Sequence, residues 1–345
     1  MEMNCPVPFT DSDRILLGHG SGGRLTHRLI EHIFYPAFRN PLLEQGHDGS
    51  VFAVEKGLLA ISTDSFVVDP VFFPGGNIGD LAVNGTVNDL ACCGARPLYL
   101  TAGFIIEEGL PLSDLQKIVN SMKEAADNAG VYIVTGDTKV VERGKCDKIF
   151  INTSGIGIVA ENINISPKNA REGDVIICSG PIGIHGITVL STRESLGFET
   201  SLTSDTAALN GMITKLYTTV NEIHVLRDPT RGGLSSALNE IAQAAKVDIE
   251  LNEASILIPD TVRAASEILG LDPLYIANEG VVIVILPEKY ADKALEIMHR
   301  FDEGKDAAVI GRISSTGNGL VKMKTAYGGH RVISMLNSDQ LPRIC

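Results

Sequence analysis

The sequence lacks several features that would indicate common kinds of protein. It contains no run of about 18 uncharged apolar residues, so no membrane-spanning helix is predicted. No two of its six cysteines have the close spacing of a zinc knuckle, which argues against a structural metal site. Tryptophan is absent, and so is the phosphate-loop pattern G-x-x-x-x-G-K-S/T. A nucleotide site in this chain would therefore need some other framework.

Basic side chains are also scarce. Lys and Arg number 29 against 42 Asp and Glu, which gives a formal net charge of −13. Such a chain is a poor partner for nucleic acid or an anionic membrane, and we expect neither. Residues 1–9 include prolines and an acid but no apolar core of a signal peptide. Together with the unpaired cysteines, this predicts a cytoplasmic protein with reduced thiols.

What the sequence does contain is an alternation of β-rich and amphipathic helical segments in both halves. With 345 residues and 44% hydrophobic content, the chain is long enough for two cores. A polar stretch at 161–174, which includes a proline and a glycine, is the best boundary between them. We therefore predict an α/β (α+β) protein with an N-terminal domain over 1–163, a C-terminal α/β domain over 164–333 and a flexible tail over 334–345.

Two predicted helices carry polar signals. The segment 77–93 has apolar residues at helical period, and Asp80, Asn84 and Asn88 follow one another at four-residue intervals. They form a polar stripe along one face. A second helix is predicted to begin at a capping box in which Ser113 and Gln116 take part.

A glycine-rich loop, Gly18-His19-Gly20-Ser21-Gly22-Gly23, precedes a helix-like segment and contains the G-x-G-x-x-G spacing. A dinucleotide fingerprint needs a clear strand before the loop and an acid after the next strand, and neither is evident. A loop whose N–H groups bind phosphate is the favoured interpretation, and a plain turn is the alternative.

Four aspartates share a context at the ends of predicted elements. Asp48 and Asp64 flank a predicted hairpin, Asp89 ends the polar stripe, and Asp137 follows an apolar strand at 131–135. Carboxylates that converge in this way suit magnesium bound to nucleotide phosphates. Taken singly, each aspartate is more often a helix cap or a solvated turn residue than a metal ligand.

Two further segments of the second half suggest chemistry. A predicted helix begins with Asp228-Pro229-Thr230-Arg231-Gly232-Gly233. Asp228 or Thr230 would cap the helix, and Arg231 would help its N-terminus to bind an anion. An ordinary helix cap without a bound anion is the alternative. Glu279 directly precedes a strongly apolar strand at 281–286, where shielding would raise its pKa and suit it to act as a base. An ordinary surface glutamate is the alternative.

The last residue is Cys345, at the end of the polar tail. A thiol on a tethered tail is a plausible carrier for a covalently bound substrate, although the adjacent α-carboxylate raises its pKa and Arg343 would have to offset that charge. An incidental terminal cysteine is the alternative.

These motifs together carry a resemblance over nearly the whole chain. The matching segments are GHGSGG (18–23), FFPGG (72–76), NGTVNDL (84–90), TGDTKVVE (135–142), DPTRGG (228–233), ANEG (277–280) and the terminal PRIC (342–345). The sequence resembles the HypE family of hydrogenase maturation proteins, within the superfamily of aminoimidazole ribonucleotide synthetase and selenophosphate synthetase. The terminal tetrapeptide is the most specific of these features.

The resemblance implies a two-domain aminoimidazole ribonucleotide synthetase-like fold, in which N-terminal domains pair into a homodimer with nucleotide bound near the interface. It implies an ATP-dependent carbamoyl dehydratase, a carbon–oxygen lyase, that converts an S-carbamoyl group on the terminal cysteine into a thiocyanate. Cyanide would then be supplied to the iron centre of [NiFe]-hydrogenase. The implied partners are the carbamoyltransferase HypF, as carbamoyl donor, and the HypC–HypD complex, as cyanide acceptor.

The resemblance also implies roles for individual residues. Cys345 would carry the substrate, Glu279 would be the base, Lys139 would stabilise developing charge and Arg231 would hold the leaving phosphate. The implied ATP-binding residues are Gly20, Gly22, Gly23, Asp64, Asn88, Asp89, Thr135, Gly136 and Asp137. The implied Mg²⁺ ligands are Asp48, Asp64, Asp89 and Asp137.

Two rival functions follow from the same sequence. A selenophosphate synthetase would be expected to have Cys or selenocysteine and Lys around the glycine loop, and residues 18–24 contain neither. A non-enzymatic scaffold would use the tail only to bind a partner.

Overall fold

The computed structural model describes residues 13–21, 24–45, 50, 52–53, 57–160, 162–193 and 201–336. Four of the predicted site residues, Gly22, Gly23, Asp48 and Cys345, lie outside this described part. Among the helices that it contains, none is long and apolar enough to cross a membrane.

The N-terminal half is built on a four-stranded sheet of order β1-β6-β4-β5. Only β4 and β5 run parallel, and the other neighbours are antiparallel. Its strands are β1 (Leu58–Phe66), β4 (Ala95–Glu107), β5 (Tyr132–Val141) and β6 (Ile149–Val159), with the small pair β2 (Phe72–Phe73) and β3 (Gly76–Asn77) beside them. The helices are α1 (Arg24–Leu29), α2 (Tyr35–Phe38), α3 (Ile78–Cys92) and α4 (Leu112–Ala129). α3 packs against β1, β6 and α4, so it covers one face of the sheet.

Local sequence explains where α3 begins and where α4 ends, while the start of α4 differs from prediction. Asn77 caps α3 by accepting the Gly79 N–H at 2.8 Å, while Asp80 accepts the Asn77 N–H at 2.6 Å. α4 begins one residue before Ser113, after Pro111 and without a side-chain cap, so the predicted capping box at Ser113 and Gln116 is wrong. It ends as expected at Gly130, whose φ of 69° is the left-handed conformation that glycine adopts freely.

The C-terminal half holds a seven-stranded sheet of order β13-β12-β9-β11-β7-β10-β8. Its strands are β7 (Asp174–Cys178), β8 (Val225–Arg227), β9 (Val247–Asn252), β10 (Ile283–Pro287), β11 (Ala308–Thr316), β12 (Val321–Lys324) and β13 (His330–Ile333). The helices are α5 (Ile184–Ser191), α6 (Asn210–Thr219), α7 (Gly233–Ala245), α8 (Asp260–Leu269) and α9 (Ala291–Met298).

This second sheet is covered on both faces, and β10 shows how. Ile283 and Ile285 belong to the apolar cluster that includes Leu234 and Leu238 of α7. Val284 belongs to the opposite cluster, with residues of α6 and α9. A strand buried on both faces has an uninterrupted apolar sequence, which explains the run predicted as a strand at 281–286.

Two strands differ from prediction in ways that affect the site. β5 continues to Val141, so Gly136-Asp137-Thr138-Lys139 lies within a strand rather than after one. Asp64 likewise lies inside β1, whose partner is β6. Of the other predicted hairpin arm, 51–54, only residues 52 and 53 are described, and neither is in a strand. Apolar periodicity in the sequence also predicts helices near 184–196 and over 206–219. The corresponding helices, α5 and α6, are shorter, and residues 201–209 form no regular element.

Candidate functional site

The first group of candidate residues lies where α3 crosses β1. Asp64 projects toward α3, since a Cβ on Gly85 would lie 3.9 Å from its Oδ2 atom. Asp89, near the end of α3, accepts a hydrogen bond from the hydroxyl of Ser62 at 2.6 Å. Burial, and then repulsion from Asp64, raise the pKa of Asp89, while the Ser62 hydrogen bond opposes the shift. The two carboxylates therefore form a close acidic pair.

The loop before α7 brings two more charged residues to this pair. The Nη2 atom of Arg231 lies 3.6 Å from Oδ1 of Asp64, and 72% of the Arg231 side chain is exposed. Asp228 is buried, and burial, followed by repulsion from Asp89, raises its pKa to about 7. Arg231 thus reaches the acidic pair while keeping most of its guanidinium open to a ligand.

The predicted caps of α7 are wrong. Gly232 occupies the N-cap position with φ of 73°, and no side chain caps the helix. A Cβ on the next residue, Gly233, would lie 2.6 Å from the carbonyl oxygens of Leu274 and Ile276. The glycine pair is therefore needed for backbone shape and close packing. Asp228 does not cap the helix, and its carboxylate instead lies close enough to Asp89 and Asp64 to be affected by their charges.

Glu279 joins the same group from the start of the β10 segment. It is 8% exposed, and burial first, then repulsion from Asp205 and Asp228, raise its pKa well above the usual range. Arg231 opposes this shift. A shielded carboxylate with raised proton affinity, near an arginine and an acidic pair, is a suitable general base.

A second group lines a cavity of about 220 Å³ at the outer edge of β5. Gly20 packs against this strand so closely that a Cβ there would lie 2.5 Å from the Val140 nitrogen. Lys139 Nζ lies 3.1 Å from Asp137 Oδ2, and this hydrogen bonding lowers the pKa of Asp137. The cavity is lined by Gly20, Thr26, Ile30, Phe34, Tyr35, Phe38, Leu43, Ala102, Phe104, Ile133, Thr135, Gly136, Asp137, Thr138 and Lys139. Aromatic walls beside a strand edge suit a flat heterocycle, and the Gly20 and Lys139 end suits its polar substituents.

A single chain does not bring Asp137 together with Asp64 and Asp89. Asp137 is in register with Gly103, Gly103 with Asn152, and Asn152 with Ser65. Asp137 therefore projects from the same face as Ser65 and from the opposite face to Asp64. β5 and β1 are the two edges of the sheet, three strand spacings or roughly 14 Å apart. Among the described residues, no three of His, Cys, Asp and Glu are grouped to hold a metal ion.

Asn88, which is predicted to bind ATP, is buried between α3 and the C-terminal half. Its side chain is 1% exposed, donates to the carbonyl oxygen of Ala207 at 2.9 Å, and accepts the Leu209 N–H at 2.8 Å. A longer contact of 3.4 Å reaches the carbonyl oxygen of Glu279. The residue is therefore engaged in joining α3 to the C-terminal half, and its role in binding ATP stays a prediction.

The last described residues end beside the first group. The carbonyl oxygen of Ser334 accepts hydrogen bonds from the Ser235 hydroxyl at 2.7 Å and from the Tyr275 hydroxyl at 2.9 Å. A Cβ on Gly232 would lie 3.9 Å from Cβ of Leu336. The nine residues that follow, 337–345, span at most roughly 30 Å when extended.

Sequence reasoning missed two residues of this region. Asp205 lies within hydrogen-bonding distance of the Glu279 backbone, and Ser62 donates to Asp89. Ser62 and Asp64 are two residues apart and therefore lie on the same face of β1, a sequence signal that could have indicated Ser62. Asp205 is part of an irregular segment without periodicity, and no sequence signal links it to Glu279.

Comparison with protein families gives a match in each half of the chain. Residues 46–159 match the family of the AIR synthase related protein, N-terminal domain. Residues 171–324 match the family of the AIR synthase related protein, C-terminal domain.

Individual relatives match over nearly their full lengths. The carbamoyl dehydratase HypE of Azotobacter vinelandii is 52% identical over 327 residues, covering 95% of this chain and 96% of the relative. A solved structure of hydrogenase maturation protein HypE in complex with ATP superposes with a TM-score of 0.92 at 51% identity, covering 96% of this chain and 99% of that chain. A chain of a HypE–HypF complex gives 0.78 at 51% identity, covering 89% and 99%.

Proposed function

The chain belongs to the HypE family of carbamoyl dehydratases within the AIR synthase related proteins, and on this premise we propose that it dehydrates an S-carbamoyl group on its own Cys345 to a thiocyanate at the expense of ATP. The thiocyanate would supply cyanide ligands for the iron centre of [NiFe]-hydrogenase. The observation that carries this proposal is the cluster of Asp64, Asp89, Arg231 and Glu279 beside Leu336, the third residue of the predicted tail.

The chemistry explains why ATP and a base are both needed. The carbonyl oxygen of a thiocarbamate is a poor leaving group. Transfer of the γ-phosphoryl group of ATP to that oxygen, with loss of one nitrogen proton, gives an iminol phosphate and ADP. Breaking the carbon–oxygen bond then releases inorganic phosphate, and loss of the second nitrogen proton leaves the S–C≡N group. The protein must therefore hold phosphate and accept protons from nitrogen.

The residues of this chain divide these tasks. Glu279 is buried and has a raised proton affinity, so it accepts a nitrogen proton. Arg231 is exposed enough to bind a phosphate oxygen while it lies beside Asp64. Lys139, at the mouth of the cavity along β5, stabilises negative charge on the nucleotide.

Magnesium fits the acidic pair of Asp64 and Asp89. Both offer hard carboxylate oxygens, and their mutual repulsion, expressed in the raised pKa of Asp89, is the kind that a divalent cation relieves. Because too few acids converge for a cage made by the described residues, phosphate oxygens would complete the coordination. A bound ion would neutralise charge on the phosphates during transfer.

The nucleotide site is complete only in a homodimer in this proposal. Leu59, Ile61 and Ile105 lie on the face of the N-terminal sheet away from α3, and Ile61 is 71% exposed there. An exposed apolar sheet face of this kind indicates an interface. If two copies pair through it by a two-fold axis, β5 of one subunit approaches the edge strand β1 of the other, so Asp137 comes close to the sheet edge that bears the acidic pair.

Two further partners follow from the reaction. The carbamoyl group must come from a carbamoyltransferase, and the match to a chain of a HypE–HypF complex supports HypF in that role. The cyanide must pass to an iron-binding acceptor, for which we propose the HypC–HypD complex.

Intact-mass measurement tests the carrier role of Cys345. The full-length chain is incubated with HypF and a carbamoyl donor, first without and then with ATP. We expect a carbamoyl adduct, followed by loss of the mass of one water when ATP is added. Cys345→Ala should acquire neither change, whereas Cys93→Ala, which removes an exposed cysteine of α3's C-terminal end, should behave as wild type. Full function of Cys345→Ala in hydrogenase maturation would favour the scaffold role instead.

A further inference from the structure

A short irregular segment, residues 204–209, joins α3 to the loop that carries Glu279. Ser204 donates its N–H to the carbonyl oxygen of Pro74 (2.8 Å), and Thr206 accepts from the amide of Asn84 through its hydroxyl oxygen (3.2 Å). The Asn88 side chain makes two further bonds: it donates to the Ala207 carbonyl oxygen (2.9 Å) and accepts the Leu209 N–H (2.8 Å). The polar stripe of α3 is thus used to hold this segment. Because these bonds fix the segment, it can also fix the position of the residues that it contacts.

The segment contacts the backbone of Glu279, the proposed base. The carboxylate of Asp205 accepts the N–H of Glu279, at 3.3 Å from each oxygen, and the N–H of Gly280 at 3.3 Å. A Cβ on Gly280 would lie 1.7 Å from the carbonyl oxygen of Asp205, so only glycine permits this approach. Asp205 therefore holds the chain at the residue where the Glu279 side chain departs.

We propose that Asp205 is the positioning residue of Glu279, holding the Glu279 and Gly280 amides so that the base is directed at the nitrogen of the substrate. The inference rests on the proposed function only in taking Glu279 as the base. Asp205 contacts no reacting atom in this scheme, and it acts entirely through Glu279. A misplacement of the base by about 1 Å is enough to lower the rate on the order of a hundredfold.

Electrostatics support this geometry. The groups that face Glu279 are Asp205 from the segment before α6, Asp228 and Arg231 from the loop before α7, and Asp64 from β1. After burial, Asp205 makes the largest contribution to raising the pKa of Glu279. Removal of the Asp205 charge therefore lowers that pKa, and the rate, which needs Glu279 ionised, should rise at lower pH than in wild type.

The test follows a single turnover of the full-length chain, carbamoylated on Cys345, after ATP is added. In Asp205→Asn the amide oxygen retains one acceptor while the charge is lost. We expect dehydration to slow by about tenfold to a hundredfold, with the Kd for ATP changed by less than about twofold. The acidic limb of the pH–rate profile should move to lower pH. Asp306→Asn, an exposed aspartate far along the chain, should match wild type in all three measurements.

A double variant separates positioning from loss of structure. If Asp205 acts only through Glu279, then Asp205→Asn combined with Glu279→Gln should be no slower than Glu279→Gln alone. The inference would be overturned if the rate losses of the two single variants multiplied in the double variant. A normal rate for Asp205→Asn, when Glu279→Gln is inactive, would also overturn it. Full activity of Glu279→Gln would instead refute the proposed function itself.

Discussion

At the scale of single residues, the site concentrates acids in a place with little compensating positive charge. Asp64, Asp89, Asp228 and Glu279 influence one another, and Arg231 is the cation that reaches Asp64. Burial and repulsion raise the pKa of both Asp228 and Glu279 above the usual range of exposed carboxyls. Such residues are suited to exchange protons or to receive a cation-bound phosphate.

Replacing the base tests the chemistry at this scale. Glu279→Gln keeps the size of the side chain but cannot accept a proton, so we expect dehydration to slow by about 10² to 10⁴-fold. The Kd for ATP should stay within about twofold. The rate is measured as the loss of water mass from the carbamoylated chain.

The matched control is Glu267→Gln, which changes an exposed glutamate of α8. It should dehydrate the carbamoyl group at the wild-type rate. Thiocyanate formation at that same rate by Glu279→Gln would exclude Glu279 from the mechanism.

At the scale of elements, the glycine loop and β5 form one unit. Gly20 is in the short helical turn Leu17–Gly20, and it contacts β5 too closely for any side chain. Gly136 is similarly constrained, since a Cβ there would lie 2.4 Å from the carbonyl oxygen of Ala102 in β4. The shape of the cavity therefore depends on two glycines: Gly20 of the glycine-rich loop, and Gly136, which the family resemblance assigns to ATP binding.

We expect Gly20→Ala to weaken ATP binding by about tenfold, because the loop must move away from Val140 to admit the methyl group. Isothermal titration with ATP provides the measurement. Gly211→Ala is the control, since nothing lies within 4 Å of a Cβ at this position in α6. That variant should bind ATP normally and gain about 0.5–1 kcal/mol of stability from its better helix propensity. Unchanged binding by Gly20→Ala would separate the loop from the nucleotide site.

How far an element could be predicted depended on where its partners lie in the chain. α3 and β10 were predicted to within two residues, since their apolar patterns directly reflect burial on one face or both. β5 was predicted too short, because Gly136, Asp137 and Lys139 are poor strand formers that pairing with β4 holds in extended form. Residues 206–209 were predicted as the start of a helix but are irregular, because Asn88 and Glu279, which bond this segment, are distant in sequence.

At the scale of the whole molecule, the sheet edges separate residues that the chemistry needs together. In one subunit Asp64 and Asp137 lie on opposite edges and opposite faces of the N-terminal sheet. Pairing of two subunits through the exposed apolar face offers a way to join them. This arrangement makes a prediction about mixed dimers that a site contained in one subunit does not make.

Asp64→Asn and Asp137→Asn subunits should each form inactive homodimers. When the two variants are mixed and allowed to exchange subunits, each mixed dimer regains one site with both aspartates intact. We expect about one quarter of wild-type activity, since about half of the dimers are mixed and each has one of two sites. Homodimers of each variant alone serve as the control, and native mass spectrometry shows that the subunits have exchanged. If activity does not recover after exchange, each subunit completes its own site.

The sequence by itself determined the alternation of strands and helices, the acidic and glycine motifs and the family resemblance, because these depend on local periodicity and on residue identity. Only the tertiary structure decided which motifs meet. It joined Asp64, Asp89, Arg231 and Glu279, moved Asp137 to a separate edge, and turned Asn88 toward Ala207 and Leu209. Strand order, register and the side from which a residue projects arise from contacts between distant segments, and no local pattern records them.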